Sequence, residues 1–275
     1  MSDHKASQNL ELEIASKVAH SLSANRSKQE HTWRELGECL YQISPSMLEV
    51  WIAITNKTKV FTEAECKECW DNDFRFNPTC LTEPMGCLET WARIDDPQGF
   101  KSLIRTYTIN DIVKNGSFEV NTDYVAMLIH KLFRYQYRYT SSQKWYEFRC
   151  KHHRWFLVDN EEALKQTFIY TAVNEYLYAL IYCNTKATQA MLFCDKEEHM
   201  KAAHRIYLLA DQLKNVANHQ IVMDKCKKLF SDSRFEYQLN KNPNLNAYEK
   251  GIFDHEIGGF RDGRPSDYIS QEYLL

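Results

Sequence analysis

The sequence predicts an α+β protein, predominantly α-helical: a helical N-terminal module, then a mainly helical second domain with a small antiparallel β-meander and a C-terminal hairpin. Three observations predict it. Apolar residues recur at helical spacing through residues 31–107 and again through 160–239. Tyr135, Tyr137 and Tyr139 alternate with Gln136 and Arg138, the two-residue period of a strand. Four of the eight glycines, Gly251, Gly258, Gly259 and Gly263, fall in one short stretch near the C-terminus.

Composition sets the outer bounds. A chain of 275 residues is long enough for two domains, and 44% hydrophobic with 26% charged residues is the balance of a soluble globular protein. The formal net charge of −3 gives no global signal for nucleic acid, so any such signal must be local. No apolar run approaches the roughly 20 residues of a membrane span, and the N-terminal Met-Ser-Asp-His-Lys has no signal-peptide core. Nine cysteines, an odd count, read as reduced thiols in a cytosol-like compartment.

In chain order, residues 1–30 read as a flexible tail, although Leu10, Leu12, Ile14 and Val18 would also suit a short docking helix. Trp33, Leu36, Leu40 and Ile43 then lie on one helical face. Ser44-Pro45 ends that helix and opens the next, with Ser44 as cap and Pro45 at the first helical position. Thr62-Glu-Ala-Glu65 is a capping box opening a helix through Trp70. Leu88, Trp91, Ala92 and Ile94 mark a further helix, broken at Asp95-Asp96-Pro97. Asn115-Gly116-Ser117 marks a linker over 108–120, followed by a helix carrying Val125, Leu128, Ile129 and Leu132. A three-strand meander covers 133–158, with a turn at Ser141-Ser142-Gln143. Helices return over 160–239, opened by Glu161-Glu162, whose charges suit a helix start. Asn240 to Asn246 reads as a loop, and Ile252-Phe253 and Phe260 as two strands joined by a turn at Glu256-Ile257-Gly258-Gly259.

Two segments resemble a known family. The stretch GIFDHEIGGFRDGRPSDYIS, Gly251–Ser270, resembles the "NGVYDL…G.FR…P.DYIS" segment of viral primase-helicases, the replication proteins of poxviruses, giant viruses and related large DNA viruses. It departs from that pattern in Lys250 for Asn and Phe253 for Tyr. The series Trp33, Leu36-Gly37, Leu48, Trp51, Glu65-Cys66, Trp70, Leu88, Trp91-Ala92, Asp95 and Pro97 resembles the second type of primase C-terminal module. Trp145-Tyr146-Glu147-Phe148 with Arg154-Trp155 matches a further "WY.F…RW" pattern of the same proteins. The resemblance implies a primase C-terminal-like module over 31–107 and a collar-like domain preceding a superfamily 3 helicase over 108–275. The sequence contains no G-x-x-x-x-G-K-[ST] loop. ATP and magnesium would then belong to a helicase domain outside the chain, and neither ATPase nor primer synthesis is expected here.

The candidate site is the meander. Lys131, Arg134, Arg138, Lys144, Arg149, Lys151 and Arg154 are seven positive residues against the single acid Glu147, a local charge of +6. Aromatics including Tyr137 and Trp145 are interleaved with them, the pairing of backbone-tracking cations and stacking platforms that binds single strands. Arg134, Arg138, Lys144, Arg149, Lys151, Arg154, Tyr137 and Trp145 are therefore the candidate DNA-binding residues. The alternative is that the aromatics are the buried face of a sheet and the cations its solvated face. If the cations share one exposed face, DNA binding is favoured. If they pair with Glu161, Glu162 and other acids, a protein–protein adaptor of the replication machinery is favoured.

Other constellations carry less. Cys66, Cys69, Cys80 and Cys87 could hold zinc, but the second pair lacks C-x2-C spacing and buried free thiols are the simpler reading. Asp71/Asp73 and Asp95/Asp96 sit at helix ends, where caps are expected, so no primase catalytic set is present. Asp262, Arg264 and Asp267 are read as structural. Expected partners are single-stranded or forked DNA, the primase and helicase domains, and further copies of the chain, at viral replication sites in the host cytoplasm or nucleus.

Overall fold

The computed structural model describes residues 2–76, 83–115 and 121–272. Helices follow in the order α1 Ser2–Ser21, α2 Glu30–Ile43, α3 Leu48–Thr55, α4 Glu63–Glu68, α5 Phe74–Phe76, α6 Pro84–Asp95 and α7 Pro97–Asn115. After α8 Thr122–Phe133 come strands β1 Tyr137–Tyr139, β2 Trp145–Arg149 and β3 Arg154–Leu157. Helices α9 Glu161–Gln189, α10 Phe193–Gln212, α11 Val216–Leu229 and α12 Phe235–Gln238 lead to β4 Leu245–Tyr248, β5 Gly251–Asp254 and β6 Gly259–Arg261. The protein is thus predominantly helical, as the sequence predicts, and the described residues form two three-stranded antiparallel sheets, the second with one strand more than the expected hairpin.

The chain forms two compact units. One comprises Met1–Leu103, Arg149–Arg154 and Asn240–Leu275; the other comprises Ile104–Phe148 and Trp155–Leu239. The expected boundary between residues 107 and 108 falls inside α7, and the C-terminal stretch groups with the N-terminal helices. Residues 108–115 of the expected linker are the end of α7, while Gly116 and Ser117 lie outside the described residues.

The first unit is built on tryptophan. Trp33, Trp51, Trp70 and Trp91 are all buried. Trp33 and Trp51 stack with ring centroids 4.8 Å apart, and Trp70 lies 5.7 Å from Trp51. Their indole N–H groups are satisfied locally: Trp33 donates to the Thr55 hydroxyl at 3.0 Å, and Trp51 donates to the Trp33 carbonyl at 3.2 Å. Gly37 makes this packing possible, because a Cβ there would sit 2.4 Å from the Trp51 ring. Residues 2–21 are helix rather than tail; Ala15, Val18 and Ala19 of α1 are fully buried, so the segment belongs to the core. The local signals before α3 and α4 operate as expected. The Ser44 side chain accepts from the Ser46 N–H ahead of Pro45, and Thr62 and Glu65 form both halves of a capping box. Beyond α4 the helix loosens into a π turn over Cys69–Asp73.

The C-terminal sheet runs β4-β5-β6, with Asp254 opposite Gly259 across the expected turn. The sequence reading missed β4, whose Leu245 and Ala247 are buried beside Ile252 and Ile269. Strands β5 and β6 carry a charged hub at Asp254 and Arg261. Arg261 donates from Nε to Asp254 at 2.9 Å and from both terminal nitrogens to Asp267 at 2.9 Å. Asp267 also accepts from the Arg264 backbone N–H at 2.7 Å, and the Arg264 side chain pairs with Glu35 of α2. Burial opposes the charge on Arg261, but the two carboxylates outweigh it and its pKa is raised.

The second unit packs a long antiparallel hairpin, α9 and α10, with α8, α11 and the β1-β2-β3 sheet. Its core is aromatic. Phe168 stacks between Phe133 at 5.5 Å and Phe230 at 5.8 Å, and Trp145 meets Phe230 at 5.5 Å.

Candidate nucleic-acid interface

The meander exists where the sequence places it, but its faces are not divided into apolar and solvated halves. Register sets Tyr137 opposite Glu147 and Tyr139 opposite Trp145, so these four share one face. That face packs on Phe168 and Phe230: the Tyr137 ring lies 5.2 Å from Phe168, and its hydroxyl donates to Glu147 at 3.0 Å. The other face is covered too. Trp155 meets Phe235 of α12 at 4.8 Å, Tyr146 meets Phe235 at 5.0 Å, and the Arg138 guanidinium lies 5.5 Å over Trp155.

Three candidate residues are therefore core. Tyr137, Trp145 and Arg138 are 6%, 2% and 7% exposed, too little for a base to stack on either ring. Arg138 instead caps the Arg134 carbonyl and lies 3.8 Å from Asp232. A buried arginine held by carbonyls, a carboxylate and an aromatic face is a structural residue. The physical reason is Phe235, which closes the face that the sequence reading left to solvent.

The other candidates are nearer the surface. Lys144, in the β1–β2 turn, is exposed, as are Arg149 at the end of β2 and Lys151 in the 3-10 turn Cys150–His152 that follows. Arg134 is half-buried with its guanidinium 4.9 Å over Tyr135. Arg154 is drawn to Glu272. The expected acid partners Glu161 and Glu162 are occupied elsewhere, by Lys227 and Lys165. Arg134, Arg138 and Lys144 belong to the second unit, and Arg149, Lys151 and Arg154 to the first.

Two histidines adjoin these cations. His130 packs edge-on to Phe230 at 4.9 Å, and burial, with Arg134, Arg138 and Lys131 adding repulsion, pushes its pKa down to about 4. It is neutral at physiological pH. His153 occupies left-handed backbone and accepts from the Gly263 N–H through Nδ1 at 3.1 Å; burial lowers its pKa as well.

Among the described residues no three of His, Cys, Asp and Glu are grouped to hold a metal ion. Cys66 faces the Thr55 hydroxyl, Cys69 lies 3.4 Å from Arg34, and Cys87 is fully enclosed. Burial raises all three thiol pKa values, that of Cys87 to about 12, which opposes the thiolate a metal requires. Cys80 lies outside the described residues. Asp95 serves structure: it accepts from Arg26 at 2.8 and 3.0 Å and from the Ser23 N–H at 2.9 Å. The sequence reading overlooked Arg261, although the alternation Arg261-Asp262, Arg264 and Asp267 signals an ion-pair cluster.

No family model matches the chain. It is 31% identical over 259 residues to the protein named "Putative helicase L207/L206" of Acanthamoeba polyphaga mimivirus, covering 93% of this chain and 26% of that protein. It is 23% identical over 298 residues to "Putative helicase 121R" of Invertebrate iridescent virus 3, covering 94% and 31%. It is 23% identical over 290 residues to "Putative helicase 022R" of Frog virus 3, covering 91% and 28%. The chain is thus related to helicase-named proteins of large DNA viruses and spans 26 to 31% of the length of these curated relatives. Among the described residues no helix is long and apolar enough to cross a membrane.

Proposed function

We propose that this chain is the non-catalytic linker and collar region of a viral DNA-replication primase-helicase, which contacts single-stranded DNA and supports oligomerisation of the helicase. The similarity to helicase-named viral proteins, running through more than nine-tenths of the chain, carries the reading. The absence of a phosphate-cradling G-x-x-x-x-G-K-[ST] loop from the sequence supports assigning ATP and magnesium to a motor outside it. The tryptophan-cored helices and the Arg261 hub, in one unit, suit a scaffold rather than a catalytic centre. DNA contact rests on charge alone, with Lys144, Arg149 and Lys151 as the exposed cations and the buried aromatics taking no part.

The pairing of Arg138 with Asp232 and of Arg154 with Glu272 favours a second reading, a protein–protein adaptor of the replication machinery that binds no DNA. Fluorescence anisotropy of the chain with a labelled single strand across a salt series separates the two. Each phosphate contact lowers log K by roughly 0.7 per unit of log salt on single strands, so Lys144→Ala/Arg149→Ala/Lys151→Ala reduces the slope by about 2. Absence of binding at low salt refutes DNA contact and leaves the adaptor.

A further inference from the structure

The C-terminal sheet keeps an aromatic outer face. Register sets Asn246 opposite Phe253 and Phe253 opposite Phe260, so these side chains form one row across β4, β5 and β6, and Tyr248 shares their face. Leu245, Ala247 and Ile252 point the other way, into the apolar cluster with Ile269. Tyr248 and Phe253 are half-buried, whereas Phe260, on the edge strand, is 49% exposed. The Tyr248 and Phe253 rings meet Phe260 at 5.7 and 5.2 Å with interplanar angles of 68° and 74°, so neither lies flat on it. Phe260 also borders a cavity of about 190 Å³, whose walls include Arg26, His31, Glu35, Lys250 and Asp262, all in the first unit.

Size and charge select the occupant. With a large aromatic side chain carrying roughly 200 Å², the exposed parts of the three rings sum to on the order of 200 Å². That is far below the about 800 Å² per partner of a stable protein interface, and it suits one or two flat rings laid on the face. The cavity is likewise below the roughly 300 Å³ at which drug-sized ligand sites begin, so it takes the edge of one ring. The charges around it cancel. Arg26 is held by Asp95, Arg261 by Asp254 and Asp267, and Glu35 by Arg264; on the rim, exposed Lys250 and His31 are matched by exposed Glu249 and Asp262. A balanced rim neither gathers a phosphate backbone nor strongly repels one, so binding free energy here has to come from the rings. Aromatic side chains on neighbouring strands of a small sheet are how sheet-based modules stack the bases of a single strand, which have the free faces that a duplex buries.

We propose that the outer face of β4-β5-β6 is a base-stacking site for single-stranded DNA, with Phe260 as its platform, Tyr248 and Phe253 bracing that ring, and the adjoining cavity receiving the edge of the base. The site rests on the single-strand contact of the function proposed above, and adds to the meander's cations a contribution that releases no counterions. Fluorescence anisotropy of the purified chain tests it, with a labelled mixed-sequence single strand and with an abasic strand of equal length and charge. Phe260→Ala, at an exposed position, should keep the wild-type circular dichroism and weaken binding of the mixed-sequence strand about 5- to 150-fold, with the salt slope unchanged. The abasic strand should bind wild type as weakly as the mixed-sequence strand binds the alanine protein, and should be indifferent to the substitution. Phe260→Leu, which keeps apolar bulk without a π-face, should lose most of the same factor, and Phe260→Trp should retain wild-type affinity. Folded alanine and leucine proteins that bind the mixed-sequence strand as tightly as wild type overturn the stacking site alone. So does an abasic strand that binds wild type as tightly as the mixed-sequence strand, a comparison that needs no variant. A Lys144→Ala/Arg149→Ala/Lys151→Ala protein with the wild-type salt slope, alongside a weakened Phe260→Ala protein, removes the meander contact and upholds the stacking site. No binding of either strand at low salt removes both.

Discussion

Removing Arg261 should destabilise the first unit more than any surface change. Its side chain is buried and holds two carboxylates that are themselves only 9% exposed, Asp254 and Asp267. Arg261→Ala deletes three charge-assisted hydrogen bonds and leaves both carboxylates without their main counter-ion. Breaking a buried pair by deleting one partner costs about 3–5 kcal/mol, most of it the stranded charge. Arg261→Lys restores the charge but not the fork that reaches two acids at once, so it should recover part of that loss and remain about 1.5–3 kcal/mol below wild type. Denaturant unfolding followed by tryptophan fluorescence is the assay, since Trp33, Trp51, Trp70 and Trp91 all report on this unit. An Arg261→Ala protein within about 1 kcal/mol of wild type would refute the hub as a stabilising centre. It would mean that water reaches the acids and solvates them. Equal stability of the lysine and arginine proteins would refute the role of the fork.

Two further perturbations test the core of each unit. Gly37→Ala gains about 1 kcal/mol of helix propensity, but its Cβ would lie 2.4 Å from the fully buried Trp51 ring. Overpacking should prevail and destabilise by about 1–3 kcal/mol net in denaturant unfolding, and a variant as stable as wild type would show that the tryptophan stack is loose. His130, with a folded pKa of about 4, binds its proton less readily than in the unfolded chain, where the pKa is about 6.5. Its contribution is therefore complete above about pH 6.5 and is lost as pH falls towards 4, by at most about 3 kcal/mol. Proton NMR titration should place the His130 midpoint near 4, and His130→Phe should flatten the stability profile in that window; a midpoint near 6.5 would show the ring to be solvated.

What the sequence conveyed well was local. Capping chemistry at Ser44 and Thr62, the Gly258-Gly259 turn and the two-residue period of the meander are decided within a few residues, and the structure has them all. Long-range coverage was harder to read. The Asn-rich run from Asn240 to Asn246 conceals β4, because asparagine is depleted in strands and the alternation of Leu245 and Ala247 is short. Period two announces a strand with two faces but does not state what packs on the second. Phe235, some eighty residues beyond the meander, covers it and converts Arg138 from candidate ligand to core. This matters for function. An interface that stacked bases on Tyr137 and Trp145 would add about 1–3 kcal/mol per stacked base to its phosphate contacts. With both rings enclosed, the meander's own share of any affinity for a single strand would come from phosphate contacts by its surface cations, and would fall with salt. The slope lost on Lys144→Ala/Arg149→Ala/Lys151→Ala, at roughly 0.7 per contact, then counts how many of these three charges meet phosphate.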